Sequence, residues 1–373
     1  MIKVIILLAA LFAASIIGGG HPRLVVNGSA VPDIPSEIGE SYAGLLPISQ
    51  EHNETRQLYF WSFPSDNVNA TDEIAIWING GPGCSSMTGL IHENGPILWQ
   101  TVTQKQPVGV GFIQDTPDIS NEVELSQQFV GFWKNFITAL QLRESESVSH
   151  GESYAGFYIP YVADTFIEAK DNRDYNLKGV AINDPIIGDA AQKDVIMSPL
   201  IDYWAKIFNF NETFTEELHS LHASCGHEAY ISQYLKYPPP KGPFPIPPAP
   251  VPCFNRIDVQ AAINAPVGAV WQQCTILDRV IEYTNNAIIG VGNLDYILPT
   301  NGTLLALQNM IWHGEQGIQS YPGDRHLLVP YHREQIRVDY AEHQQPQYAP
   351  NSSYRVIEML LDNGATGLFL IGS

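Results

Sequence analysis

Short apolar stretches alternate with amphipathic stretches between about residue 42 and residue 188. Residues 59–63, 73–78 and 177–182 are rich in β-branched and aromatic side chains and end near turn residues, which predicts three strands. Residues 127–140 predict a helix, because apolar side chains recur on one face at Phe129, Phe132, Trp133, Phe136, Ile137 and Leu140. This alternation predicts an α/β fold with a mostly parallel sheet covered on both faces.

The alternation stops over residues 190–283, which predict helices around a proline-rich loop at 238–252. It resumes with an apolar strand at 287–291. We therefore expect a core in two parts, residues 21–189 and residues 284–373, with residues 190–283 inserted as a cap. The chain of 373 residues is long enough for one large α/β domain with such an insertion.

The first residues indicate a secretory protein. Residues 1–20 carry Lys3, an apolar run and small residues, which predicts a signal peptide cleaved near Gly18 to Gly20. No later segment is long and apolar enough to predict a membrane helix. N-glycosylation motifs begin at Asn27, Asn53, Asn69, Asn211, Asn301 and Asn351. A glycosylated protein of the secretory pathway is the expectation.

Charge and cysteine content exclude some function classes. Nineteen basic residues against 39 acidic ones give a formal charge of −20, which argues against nucleic-acid binding. The even number of cysteines and the lack of a C-x-x-C pair favour two disulfides over a metal site. No cofactor is expected. Cys225 and Cys253 bracket the proline-rich loop, so a disulfide between them would close its base.

The hexapeptide Gly-Glu-Ser-Tyr-Ala-Gly at residues 151–156 carries the first chemical signal. It places Ser153 on a small-residue turn between an expected strand at 145–150 and a helix, where a serine hydroxyl is exposed above a sheet. Short Gly/Ser strings are also common in ordinary turns. A nucleophilic serine needs a base and an orienting acid later in the chain. The candidates are Asp295 or Asp324 for the acid, and His343, His326 or His332 for the base.

A glycine-rich segment at residues 77–86, Trp-Ile-Asn-Gly-Gly-Pro-Gly-Cys-Ser-Ser, follows the second predicted strand. Consecutive glycines allow a backbone N–H to approach a substrate oxygen, as an oxyanion hole requires. The segment lacks the lysine of a P-loop and the spacing of a dinucleotide-binding loop, so nucleotide binding is not expected.

Together the two motifs resemble the serine carboxypeptidase family, in particular its secreted fungal members. Further matches are Glu93–Pro96, Gln106–Phe112, Gly188–Asp189 and Pro346–Pro350. The resemblance covers most of the chain after about Ser41. It implies an α/β-hydrolase fold and a secreted or vacuolar enzyme that removes the C-terminal residue of peptides or proteins through an acyl-enzyme.

The resemblance also assigns residues. It implies Ser153 as nucleophile, Asp295 as orienting acid and His343 as base. The backbone N–H groups of Gly81 and Tyr154 would form the oxyanion hole. Residues that would hold the substrate's C-terminal carboxylate are Trp77, Asn79, Glu93 and Glu152. Implied disulfides join Cys84 to Cys274 and Cys225 to Cys253.

Two neighbouring glutamates would suit such a receptor. Ionising both Glu93 and Glu152 at close range is unfavourable, so the two carboxyl groups would share a proton and their coupled titration would be shifted to higher pH. The protonated form donates to a carboxylate, whereas the ionised form repels it. Activity is therefore expected to be best at acidic pH.

The chain departs from the family pattern in three places. The segments between Pro96 and Gln106 and between Pro330 and His343 are shortened, and the expected strand at 145–150 is polar. Loss of a sheet strand in the first segment would leave an exposed edge. Two alternatives therefore stand beside the peptidase: an acyltransferase or esterase, whose relatives tend to carry Asp at the position of Glu152, and a catalytically inactive binding protein.

Overall fold

The structure is a computed structural model, and it does not describe every residue. Described are residues 9–11, 24–31, 38–65, 73–81, 84–95, 119, 121–188, 195–245, 286–292, 295, 298–319, 328–329, 332–338, 356 and 367–372.

An eight-stranded sheet forms the centre of the protein. The described strands are β1 (Ala9–Leu11), β2 (Tyr42–Pro47), β3 (Gln57–Ser62), β4 (Glu73–Ile78), β5 (Glu146–Glu152), β6 (Asn176–Asn183), β7 (Asn286–Val291), β8 (Ile311–Trp312), β9 (Glu315–Gln316), β10 (Leu328–Val329), β11 (His332–Val338) and β12 (Gly367–Gly372). Strands β2 and β3 form a separate two-stranded sheet, and so do β8 and β9. The order in the large sheet is β1-β4-β5-β6-β7-β12-β11-β10. Neighbours from β4 to β11 pair in parallel, while β1 and β10 pair antiparallel at the two edges.

Helices cover both faces of this sheet. They are α1 (Met87–Gly89), which continues as a π-helix over Leu90–Asn94, α2 (Glu122–Ala139), α3 (Ala155–Ala169), α4 (Met197–Tyr203), α5 (Ala205–Phe208), α6 (Glu212–Ser224), α7 (His227–Tyr234) and α8 (Thr300–Gln308), with a short 3-10 turn at Gly28–Ala30. On one face Phe136 of α2 and Phe166 of α3 are fully buried against the strands. Trp77, Leu90 and Val356 belong to the core on the other face. The predicted α/β-hydrolase architecture is confirmed.

The predicted helix at 127–140 is α2, which begins five residues earlier than expected. Asn121 caps it: its side-chain oxygen accepts a hydrogen bond from the Glu124 N–H at 2.9 Å. Glu122 and Glu124 in the first turn favour the positive end of the helix dipole.

The polar segment before Ser153 does form a central strand, β5. Ser147 and Ser149 are buried, and the Ser147 hydroxyl donates to the Asn176 carbonyl at 3.2 Å. This hydrogen bond to the neighbouring strand β6 satisfies the Ser147 hydroxyl, whose burial without a partner would be unfavourable.

The edge beside β4 is occupied by β1. Ala9 lies opposite Ala75 and Leu11 opposite Glu73, although residues 9–11 belong to the predicted signal peptide. The signal peptide stays a prediction. The loss of a strand from the shortened segment between Pro96 and Gln106 also stays a prediction, because that segment lies outside the described part of the chain.

The predicted cap lies between two adjacent strands. Asn183 of β6 is paired with Gly290 of β7, so the long segment from 184 to 285 leaves the sheet and returns to the neighbouring position. Helices α4 to α7 belong to this segment.

The described residues contain no helix with the length and apolar character needed to cross a membrane.

Candidate active site

Ser153 stands on a strained turn between β5 and α3. Its φ of 59° lies in the left-handed region, which non-glycine residues rarely adopt. The Ser153 N–H donates to the Asn183 carbonyl at 2.9 Å, and the Ser153 carbonyl accepts from the N–H of Gly156 and of Ile186 at 2.9 and 3.0 Å. The residue is half-buried, so a substrate can reach the turn. This geometry matches a nucleophile elbow.

The glycine-rich loop after β4 lies directly against this turn. A Cβ atom built on Gly80 would collide with the Tyr154 backbone nitrogen and come within 2.7 Å of Ser153 Cβ. Gly81 follows with φ 122°, a conformation that favours glycine. The structure therefore brings together the two segments whose N–H groups, those of Gly81 and Tyr154, were predicted to form the oxyanion hole.

The four predicted carboxylate-binding residues form one hydrogen-bonded cluster. Asn79 Nδ2 donates to Glu152 Oε1 at 3.0 Å and to Glu93 Oε1 at 3.3 Å. Asn79 Oδ1 accepts from Trp77 Nε1 at 3.0 Å and from the Gly89 N–H at 3.1 Å. The Asn79 N–H donates to the Ser86 hydroxyl at 3.1 Å. Asn79 is thus fixed on several sides, and it holds two carboxyl groups near each other.

Burial raises the pKa of Glu152 well above its usual range. The charge and hydrogen bond of Glu93 and the charge of Asp184 raise this pKa further, while the Asn79 amide acts in the opposite direction. The neutral carboxylic acid form of Glu152 is therefore favoured, and in that form it can donate a hydrogen bond to an anionic ligand.

Asp295 is buried in the loop after β7. Its N–H donates to the Gly292 carbonyl at 3.0 Å, and its Oδ1 accepts from the Leu298 N–H at 3.2 Å. Because β5 and β7 are parallel members of one sheet, Asp295 and Ser153 both follow the carboxyl ends of strands at the same sheet edge. The competing acid, Asp324, lies outside the described residues.

The candidate histidines are less completely described. His343 and His326 lie outside the described residues. His332 is the first residue of β11, which runs parallel to the neighbouring β12. That position is at the amino ends of the parallel strands, whereas Ser153 follows the carboxyl end of β5. Topology therefore argues against His332, whereas His343 comes after the carboxyl end of β11 in the sequence.

The predicted disulfides and glycans stay predictions. Within the described residues Cys84 and Cys225 are free thiols, and their expected partners, Cys274 and Cys253, lie outside that part of the chain. Asparagines of four sequons are exposed on the surface: Asn27, Asn53, Asn211 and Asn301. Asn69 and Asn351 lie outside the described residues.

The described side chains contain no cluster of three or more potential ligands that could hold a metal ion.

Several residues around the site were not predicted. The His150 ring packs edge-on against Trp77 with a centroid distance of 4.6 Å, and Ser86 holds the backbone of Asn79. The Tyr154 hydroxyl donates to Glu122 Oε1 at 2.8 Å. Asp184 Oδ1 accepts from the Gly292 N–H at 2.5 Å. The position of Asp184 next to the strand-ending Asn183 was visible in the sequence, but its partner was not.

A serine elbow, an adjacent glycine loop and a buried acid at the carboxyl edge of a parallel sheet define a hydrolase of the α/β class. The crystal structure of KEX1(Δ)p, a prohormone-processing carboxypeptidase from Saccharomyces cerevisiae, has the same fold. Its TM-score is 0.54 at 21% sequence identity, over 80% of this chain and 82% of that chain.

The protein belongs to the serine carboxypeptidase family, whose sequence profile matches residues 32–238. A probable serine carboxypeptidase of Arthroderma benhamiae is 35% identical over 467 aligned positions, covering 93% of this chain and 88% of the relative. Serine-type carboxypeptidase F of Aspergillus niger is 31% identical, with coverage of 89% and 86%. The first alignment is longer than the chain's 373 residues, so that relative contains segments that this chain lacks.

Proposed function

We propose that the protein is a serine-type carboxypeptidase that releases the C-terminal residue of peptides or proteins through an acyl-enzyme and works best at acidic pH. The observation that carries this proposal is the cluster of Trp77, Asn79, Glu93 and Glu152 beside Ser153. Membership of the serine carboxypeptidase family supports the same activity.

Recognition of the substrate begins at its free carboxylate. Protonated Glu152 donates a hydrogen bond to that group, and the Asn79 amide donates another in exchange for its longer contact with Glu93 at 3.3 Å. Trp77 holds Asn79 in place. Because Glu152 directly precedes Ser153, a carboxylate bound there places the last peptide bond beside the nucleophile.

The chemistry follows from the turn and the loop. The Ser153 hydroxyl attacks the carbonyl carbon and transfers its proton to His343, which Asp295 orients. The N–H groups of Gly81 and Tyr154 stabilise the oxyanion. His343 then protonates the leaving amine, and the C-terminal amino acid departs. Water, deprotonated by His343, attacks the acyl-enzyme and restores Ser153.

The receptor is tested by comparing two substrates. A blocked dipeptide with a free carboxylate should be cleaved at least about tenfold faster, in kcat/KM, than its C-terminal amide at acidic pH. That preference should decline as the Glu93/Glu152 pair ionises, and Glu152→Gln, which stays neutral, should flatten the decline. A kcat/KM that rises steadily from about pH 4 to about pH 8 would rule the receptor out.

The nucleophile is tested by a serine-directed phosphonate. Wild-type protein should be labelled at Ser153 and Ser153→Ala should not. Absence of labelling in a folded wild-type protein would favour the inactive binding protein. Labelling with hydrolysis of esters but no preference for free carboxylates would favour an esterase or acyltransferase instead. Glu152, rather than Asp, at the receptor position favours the peptidase.

We also propose that the protein passes through the secretory pathway to a secreted or vacuolar destination, with residues 1–20 removed and N-glycans attached. Exposure of Asn27, Asn53, Asn211 and Asn301 supports the glycans. The return of the chain from β6 to the adjacent β7 supports residues 190–283 as an inserted cap between core parts 21–189 and 284–373.

A further inference from the structure

We infer that Asp184 is a positioning residue for hydrolysis, which holds the turn that carries Ser153 and the loop that carries Asp295 in one fixed relation. The inference rests on the proposed function, since it assigns Asp184 a role within that reaction. Asp184 is fully buried where β6 ends, between the strands that lead to the two catalytic loops.

On the nucleophile side, hydrogen bonds join the Ser153 turn to residues on both sides of Asp184. The Ser153 N–H donates to the Asn183 carbonyl at 2.9 Å, and the Ile186 N–H donates to the Ser153 carbonyl at 3.0 Å. The elbow therefore moves with the segment in which Asp184 lies.

On the acid side, Asp184 makes two contacts of its own. Its N–H donates to the Gly290 carbonyl at 2.6 Å, and its Oδ1 accepts from the Gly292 N–H at 2.5 Å. The Gly292 carbonyl in turn accepts from the Asp295 N–H at 3.0 Å. One residue thus fixes the end of β7 through backbone and side chain, and the next hydrogen bond reaches Asp295.

The backbone of Asp184 argues for a role beyond packing. Its φ of 41° is in the left-handed region, where glycine would be less strained. Such outliers persist where the surroundings hold them, and they concentrate at functional sites. Here the carboxylate contact with Gly292, which glycine could not make, explains why a side chain is present.

Asp184 acts on the carboxylate receptor in a second way, through its charge. The titratable groups that face Glu152 are Glu93, from the π-helix, and Asp184, with the neutral Asn79 amide between the glutamates. The charges of Glu93 and Asp184 both raise the pKa of Glu152. Removing the Asp184 charge should therefore let Glu152 ionise at lower pH.

Two variants separate the hydrogen bond from the charge. Asp184→Asn keeps an oxygen that can accept the hydrogen bond from Gly292 but has no charge. Asp184→Gly loses both the acceptor and the charge, and it relieves the strain of the left-handed backbone. The matched control is Asp174→Asn. Asp174 is also buried, but it lies near the amino end of β6, where Lys134 Nζ and Arg143 Nε approach its carboxylate at 3.9 and 3.6 Å.

The measurements are kcat and KM for a blocked dipeptide across pH, phosphonate labelling of Ser153 and thermal unfolding. We expect Asp184→Gly to lose about 10- to 100-fold in kcat with a smaller change in KM, because the reacting groups are misaligned. Asp184→Asn should recover at least about tenfold of that loss, while the basic limb of its kcat/KM profile moves to lower pH. Asp174→Asn should lower the unfolding temperature and leave kcat unchanged.

A folded Asp184→Gly variant with wild-type kcat would overturn the inference. If the glycine variant does not fold, Asp184→Ala, which also loses the contact with Gly292, decides: a kcat at least about tenfold below that of Asp184→Asn supports the inference, and equal kcat values overturn it. A wild-type protein that neither cleaves the dipeptide nor reacts with the phosphonate overturns the proposed function and this inference together.

Discussion

A single methyl group at position 80 would reach the backbone of the nucleophile turn. Gly80→Ala forces apart the loop after β4 and the Ser153–Tyr154 peptide, since the new Cβ collides with backbone rather than with a flexible side chain. We expect kcat/KM to fall about 10²- to 10³-fold, as when an oxyanion donor is lost. Gly44→Ala is the control, because its Cβ meets the end of the Leu24 side chain. Similar activity of both variants would contradict this contact.

His150 sets a limit on stability at acidic pH. Burial lowers the pKa of His150 to about 3, which the side chain of Asn183 partly opposes. The unfolded chain therefore binds this proton from about pH 6.5 downward while the folded protein does not, and folding stability falls as pH decreases. The loss attributable to His150 is at most about 3 kcal/mol between pH 6.5 and pH 4.

His150→Gln should remove this part of the pH dependence. Urea unfolding at pH 7 and pH 4 measures it: the difference in unfolding free energy should be smaller in the variant than in the wild type. His52→Gln, at an exposed site, is the control. An unchanged difference in His150→Gln would show that the ring is protonated without unfolding.

The grouping of Asn79 with Glu152 could be predicted from the sequence, but the residues that pack around them could not. Asn79 and Glu152 belong to two short motifs whose combination is specific. His150 and Asp184 depend on which strands become neighbours: Trp77 lies opposite His150 only through the β4–β5 register, and Gly292 reaches Asp184 only because β6 and β7 pair. A linear pattern does not contain these pairings.

At the scale of elements, local signals predicted strands better than helix ends. Strand β4 has the predicted bounds, whereas α2 begins at Glu122 rather than residue 127. The apolar face of α2 starts later than the helix, and its first turn is defined by the Asn121 cap and two acidic residues. Strand β5 was doubtful because of its serines, and burial between β4 and β6 decided its conformation.

The Asn121 cap should contribute measurably to stability. Asn121→Ala leaves the Glu124 N–H without its side-chain acceptor, so we expect a loss of about 1 kcal/mol in unfolding free energy. Asn121→Ser keeps a capping oxygen and should lose less. Denaturant titrations compare the three proteins, and equal stability of the alanine and serine variants would mean that the cap contributes nothing.

At the scale of the whole molecule, the net negative charge and the buried Glu152 both lower folding stability as pH rises above neutrality. A formal charge of −20 makes self-repulsion grow as carboxyl groups ionise. The raised pKa of Glu152 adds to this, because its stabilising contribution is complete below its ordinary value of 4.5 and is lost as pH rises above it. Above about pH 6.5, where His150 no longer contributes a pH dependence, stability should therefore decline toward pH 8.

Thermal unfolding across this range tests the contribution of Glu152. Glu152→Gln cannot ionise, so its unfolding temperature should decline less steeply than that of the wild type. The exposed Glu51→Gln variant is the control and should follow the wild type. Parallel slopes for Glu152→Gln and wild type would show that Glu152 is ionised in the folded protein.

The left-handed backbone at Ser153 and Asp184 matters for engineering. Each such residue carries about 1–3 kcal/mol of strain that glycine would relieve. A library screened for heat resistance alone would favour glycine at codon 153, where no side-chain hydrogen bond among the described residues offsets the strain relief, because stability and activity conflict at strained functional positions. Such a screen would enrich robust proteins that lack Ser153, the proposed nucleophile, so directed evolution of this chain should score survival and peptide turnover in the same round.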